Sequence, residues 1–281
     1  MNKRANRVYW LLLIMMLIFG FSMAIDGIRA DKHKNDQVQD AYAQMTTEVT
    51  TVEITTEMSS ESMESSELTT LTDEEAKQKI NNFYSGQVFM GDSIMSGFAT
   101  YTSTKEAPEW LNNVIFLSKV SWGISSVLGD NNGPMYQGKS RNIKESLSMI
   151  NPQRIFINLG INEMNGLGSP GYSIDKLIGK YGELITGLKE AAPDSKIYII
   201  NITPCTEERE TPMFSNAVIK EFDKALEESA KTWGVTYLDL AGEFGDVLEP
   251  ELSSDNFVHH NNKAYSEKWV PFLEKVALND N

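Results

Sequence analysis

The chain has 281 residues and a formal net charge of −14, but the acidity is local: residues 36–75 hold eleven Asp and Glu and no Lys or Arg. No basic stretch marks a surface for nucleic acid. A single cysteine, Cys205, excludes an intramolecular disulfide and a cysteine-built zinc site, and of three histidines only His259 and His260 fall in the part expected to fold.

Residues 1–7 carry Lys3, Arg4 and Arg7 and lead into an apolar run over residues 8–25. As a helix that run would span about 27 Å, close to a ~30 Å hydrocarbon core. The cationic flank predicts a cytoplasmic N-terminus with the rest of the chain outside the membrane. An uncleaved single-pass anchor in the cell membrane is the favoured expectation. A signal peptide cut after Ala24 or Ala30, giving a secreted protein, is the alternative. Residues 26–75, rich in Ser, Thr and Glu and without apolar periodicity, are expected to form a disordered acidic stalk. One folded domain is expected over residues 76–281, long enough for a sizeable core.

Within that domain, short apolar runs predict strands at Gln87-Val88-Phe89-Met90, Val114-Ile115-Phe116-Leu117, Arg154-Ile155-Phe156-Ile157-Asn158-Leu159, Lys196-Ile197-Tyr198-Ile199-Ile200 and Val235-Thr236-Tyr237-Leu238. Runs apolar on both faces suit strands of a buried parallel sheet. Between them lie helical stripes: Ile174, Leu177, Ile178, Tyr181, Leu184, Ile185 and Leu188, then Val218, Phe222, Leu226 and Ala230. A last stripe, Tyr265, Trp269, Phe272 and Val276, is interrupted by Pro271, a predicted kink or helix restart. The alternation predicts an α/β fold with helices on both faces of a central parallel sheet of about five strands. Segments 129–140 and 163–172 carry no readable pattern.

Such sheets bind ligands beyond the carboxyl ends of their strands. The first strand runs into Gly91-Asp92-Ser93. A serine at a strand-to-helix turn can present its hydroxyl at the sheet edge, with its N–H at a helix N-terminus that favours an oxyanion. The bland reading is a helix cap by Asp92 or Ser93. Gly123 follows the second strand, where a glycine lets backbone approach a substrate oxygen closely; it could equally be a turn glycine. Asn162 in Gly160-Ile161-Asn162-Glu163 follows the third strand and is either an amide donor or a turn former. Ser254-Asp255-Asn256-Phe257-Val258-His259-His260-Asn261 precedes the last helix. It offers a general base and a carboxylate to orient it, or simply surface histidines. Cys205 is read as a core residue. Asn201-Ile202-Thr203 matches a glycosylation sequon but sits at a strand end.

In this order the four blocks resemble the SGNH (GDSL-like) hydrolase family, named for its Ser, Gly, Asn and His blocks. The resemblance covers the chain from about residue 85 to its end. It implies a flavodoxin-like three-layer sandwich and a serine esterase that needs no metal or cofactor. Ser93 would be the nucleophile and His259 the base, with Ser93 and Gly123 N–H groups and the Asn162 side chain as oxyanion donors. Two departures stand out. The third block ends in Glu163, where the family often has Asp, a change that matters little if Asn162 is the working residue. The family spaces Asp and His as Asp-x-x-His, whereas Asp255 precedes His259 by four. Either Asp255 reaches His259 across a loop with one extra residue, or Asn256 or a carbonyl orients the ring. His259 is preferred to His260 because His259-His260-Asn261 followed by Tyr265 resembles the family's continuation.

The expected activity is hydrolysis of an ester, O-acyl or O-acetyl on a carbohydrate or other cell-envelope substrate. Two alternatives are acyl transfer to a glycan by the same residues and a catalytically silent wall-binding domain. No nucleic-acid partner is expected, and the membrane is expected to be contacted only through the N-terminal segment.

Overall fold

The computed structural model describes residues 71–167 and 172–280. The expected membrane segment at residues 8–25, and the expected stalk up to residue 70, lie outside them. Among the described residues, no helix is long and apolar enough to cross a membrane.

The first element among the described residues is a helix, α1 (Asp73–Tyr84), which begins three residues before the boundary expected at residue 76. Thr72 caps it by accepting the Glu75 N–H at 3.3 Å, and Glu75 returns the contact to the Thr72 N–H at 2.8 Å. Asp73, Glu74 and Glu75 therefore belong to a helical first turn, where negative charge is favourable, and not to the stalk.

Strand β1 (Val88–Gly91) leads into α2 (Ser93–Tyr101), and β2 (Ile115–Ser118) follows. A small hairpin, β3 (Met135–Tyr136) and β4 (Lys139–Ser140), precedes α3 (Ile143–Ile150). Then come β5 (Arg154–Asn158), α4 (Ile174–Ala191), β6 (Lys196–Ile200), α5 (Asn216–Trp233) and β7 (Thr236–Leu238). The chain ends in a short turn, α6 (Asn262–Ala264), a π-helical stretch Tyr265–Trp269, and α7 (Val270–Asn279). Pro271 sits at the start of α7, where its missing N–H costs little, so the expected interruption is a change of helical pitch before a restart.

The five main strands form one parallel sheet in the order β2-β1-β5-β6-β7. This is the doubly wound order of flavodoxin-like folds, with its reversal point between β1 and β5. Helices flank the sheet. α3, α4 and α5 pack side by side. α1, α2 and α7 are tied together by the Tyr84 hydroxyl on the Leu273 carbonyl (2.6 Å) and the Tyr265 hydroxyl on the Ile94 carbonyl (2.8 Å). In the core, Phe89, Phe156 and Tyr198 are register partners on adjacent strands and stack at 4.5 and 4.7 Å. Burying each such ring contributes about 1.5–3 kcal/mol, so these central strands are the best-anchored part of the sheet.

The register decides where the site lies. Gly91 pairs with Ser118 on one side and Asn158 on the other. The segments carrying Ser93, Gly123 and Asn162 thus leave three adjacent strands at one level.

Candidate active site

Gly91 leaves no room for a side chain. A Cβ there would lie 2.4 Å from the Asn158 carbonyl oxygen and 2.7 Å from Met95 Cβ. That close approach lets β1 turn directly into α2. Asp92 caps the helix by accepting the Ile94 N–H at 2.9 Å, and Ser93 becomes its first residue. Asp92 thus caps α2, and Ser93, half-buried, is its first residue at the carboxyl end of β1. At this position the Ser93 N–H has no intrahelical acceptor.

Ser93 Oγ lies 2.9 Å from His259 Nε2, and His259 Nδ1 lies 2.6 Å from Asp255 Oδ2. The extra residue between Asp255 and His259 is absorbed by Asn256, which takes a left-handed backbone conformation with φ +54°. Its side chain points away and donates to Glu208 at 2.9 Å, while its carbonyl accepts from the Thr206 hydroxyl at 2.8 Å. Of the orienting groups expected, Asp255 is the one in contact with the ring. Its other oxygen accepts the Phe257 N–H at 2.9 Å and the His259 N–H at 3.2 Å. Burial pushes the Asp255 carboxyl up, but the His259 ring and these N–H groups outweigh it and hold it below the usual range. An ionised Asp255 only accepts, so Nδ1 carries the ring proton and Nε2 is left to accept from Ser93.

His260 points the other way. Its Nδ1 accepts the Trp269 indole N–H at 2.9 Å, and its Nε2 lies 3.1 Å from the Thr203 hydroxyl. The indole can only donate, so the Nε2–H donates to Thr203. Burial pushes the His260 ring down to about 3, which leaves a neutral structural histidine.

Two of the expected oxyanion donors, Gly123 and Asn162, already have partners within the fold. The Gly123 N–H donates to Ser126 Oγ at 3.2 Å within a tight turn, so a substrate oxygen has to share or displace that long contact. Asn162 donates one amide hydrogen to the Trp122 carbonyl at 3.0 Å, leaving its second for a ligand. The Trp122 ring is itself held by Asp130 at 3.1 Å.

Two carboxyl groups lie beneath these donors. Asp92 is 1 % exposed and Glu163 7 %. Burial pushes Asp92 up to about 7; the Ile94 N–H opposes this and the nearby Glu163 charge adds to it. Glu163 is also raised, mainly by burial, with the N–H groups of Ile124 and Ser125 and the Lys180 ammonium acting against it. The sequence carried no sign that Glu163 would be buried against the glycine loop, because that depends on two segments meeting across the sheet.

Cys205 is fully buried, its thiol pushed up to about 11 by burial. Asn201 of the sequon is buried, its side chain bonded to Asp239 and to the Ala241 N–H. Among the described residues no three His, Cys, Asp or Glu side chains converge with metal-ligand geometry.

A sequence model of the GDSL-like lipase/acylhydrolase family matches residues 89–266. No curated protein matches the chain. Among solved structures, a Streptococcus pneumonia protein named for platelet activating factor superposes with a TM-score of 0.51 at 16 % identity, covering 73 % of this chain and 92 % of that one. A mutant of an acetylxylan esterase from Geobacillus stearothermophilus gives 0.49 at 13 % identity, covering 70 % and 96 %. A phospholipase A1 from Streptomyces albidoflavus gives 0.43 at 15 %, covering 68 % and 99 %.

Proposed function

The chain belongs to the GDSL-like lipase/acylhydrolase family, and from that premise we propose that it is a serine esterase with Ser93 as nucleophile, His259 as base and Asp255 as its orienter. The observation that carries the reading is the unbroken line Ser93 Oγ, His259, Asp255, with steps of 2.9 and 2.6 Å.

In the reaction, Nε2 of His259 takes the hydroxyl proton as Ser93 Oγ attacks the ester carbonyl. Asp255 stabilises the imidazolium that forms. The negative charge on the tetrahedral oxygen is met by the N–H groups of Ser93 and Gly123 and the free amide hydrogen of Asn162. His259 then returns the proton to the leaving alcohol. A water, activated by the same ring, attacks the acyl-enzyme and regenerates Ser93. The His259 side chain is 41 % exposed, which supports solvent access for that second step.

For substrate we propose an O-acyl or O-acetyl ester on a carbohydrate or other cell-envelope molecule. That choice is supported by the sequence pattern of residues 1–71, read as an anchor or export signal and a spacer holding the domain outside the membrane. The irregular Asp–His spacing, the chief argument for a catalytically silent domain, is taken up by the turn at Asn256. The test is turnover of p-nitrophenyl acetate and of an acetylated oligosaccharide by wild type and Ser93→Ala. Release of acetate by wild type and its loss in the variant are expected; equal turnover by both sinks the proposal. Product analysis with an added glycan acceptor should yield free acid and no acylated glycan.

A further inference from the structure

We propose that Glu163 is a positioning residue for the oxyanion donors: its carboxyl group fills the space against Gly123 and thereby fixes where the Gly123 N–H points. The inference rests on the esterase reading above for its catalytic consequence, though not for its packing claim.

Four observations carry it. A Cβ added to Gly123 would lie 2.5 Å from Glu163 Oε1, closer than real Cβ contacts, so the carboxyl group occupies the volume a side chain would need. Glu163 follows Asn162 directly, and Asn162 holds the carbonyl of Trp122, the residue before Gly123. Two consecutive residues after β5 thus clasp two consecutive residues after β2. Glu163 is kept there although it is 7 % exposed and its Oε2 has no partner among the described residues, an arrangement that costs free energy. Around it stand Asp92 from the β1–α2 turn, Tyr181 and Lys180 from α4, and the N–H groups of Ile124 and Ser125; Lys180 and the N–H groups favour its charge, and Asp92 opposes it. Tyr181 Oη is likewise buried without a partner.

A misaimed donor weakens stabilisation of the transition state more than binding of the ester, so the signature is in kcat and not in KM. Glu163→Asp withdraws the carboxyl group by one methylene and opens a gap. Gly123→Ala adds a methyl group that collides with it. Each alone should lower kcat by about tenfold or more with KM nearly unchanged, counted per site titrated by a fluorophosphonate. Together, the shorter acid should make room for the methyl, and the double variant should exceed both single variants in kcat. A double variant slower than both singles, or Glu163→Asp with kcat within twofold of wild type, overturns the proposal. The same size exchange is read in thermal melts, where the double variant should have a higher Tm than Gly123→Ala. If the wild type neither hydrolyses esters nor takes label, the esterase reading has failed, and the melts alone decide the packing claim.

Discussion

Residues 255–259 and residues 260–269 are consecutive, yet they solve opposite problems. In the first stretch the Asp255 and His259 side chains reach solvent, 36 % and 41 % exposed, while Val258 between them is buried. This stretch is shaped by backbone N–H groups closing on one carboxylate and by the left-handed turn at Asn256. In the second stretch His260, Ala264, Tyr265 and Trp269 are buried; His260 is 5 % exposed, stacked on Phe244 at 4.8 Å and bonded to Trp269 and Thr203. A base that must become an imidazolium needs a carboxylate and water nearby. A histidine that anchors a loop needs to stay neutral, and burial enforces that. The pair teaches that burial sorts adjacent histidines: the exposed ring contacts Ser93 and Asp255, and the buried ring anchors the loop to Trp269 and Thr203.

The largest test of this division is the loss of either side of the Ser93–His259 contact. Ser93→Ala or His259→Ala should cut ester turnover by about 10⁴–10⁶-fold, measured as kcat, while His260→Ala should leave kcat per folded molecule near wild type. Within the first stretch, Asp255→Asn should cost about 10²–10⁴-fold because the ring loses its tautomer. Asn256→Gly should cost almost nothing in kcat, since glycine accepts φ +54° readily. A large loss at Asn256 would mean that it, and not Asp255, orients the ring. His260→Ala strands the Trp269 indole N–H and the Thr203 hydroxyl and opens a cavity. A loss of about 2–4 kcal/mol in unfolding free energy is expected from denaturant titration.

The pH dependence of stability probes the buried side of the comparison. The His260 ring falls from about 6.5 unfolded to about 3 folded. The unfolded chain therefore binds more protons between those values, and stability is lost as pH falls through that window. Buried acids act oppositely. Asp223, which accepts the Ile202 N–H at 3.1 Å, is pushed by burial to about 8. The folded state holds its proton longer, so stability is lost as pH rises from about 4 to about 8, by up to about 1.4 kcal/mol per pH unit. Asp223→Asn keeps the acceptor and removes the charge. Its Tm should exceed that of wild type at pH 8–9 and match it near pH 4; equal melting curves at both would show that Asp223 is ionised in the fold.

Much of this architecture was readable in one dimension. The five strands and the helices α4 and α5 announced themselves because both-face burial and one-face burial leave different apolar spacings. α1 stayed hidden because its acidic first turn continues the composition of the preceding segment. The β3–β4 hairpin was missed because Gln137, not Asn or Asp, shares the positive-φ turn with Gly138. Ser93, Gly123, Asn162, Asp255 and His259 were all found as candidates, since each belongs to an ordered motif. What spacing could not decide was whether Asp255 reaches His259, which hangs on one backbone conformation. Glu163 was set aside as a neutral change because its contact with Gly123 exists only after two loops meet.

The most direct measurement is mapping of fluorophosphonate adducts by intact-mass and peptide mass spectrometry on the folded protein. The account predicts one adduct, on Ser93, formed rapidly in wild type and in His260→Ala, slowly in His259→Ala, and not at all in Ser93→Ala. An adduct on another residue, or equal labelling of wild type and Ser93→Ala, would contradict it.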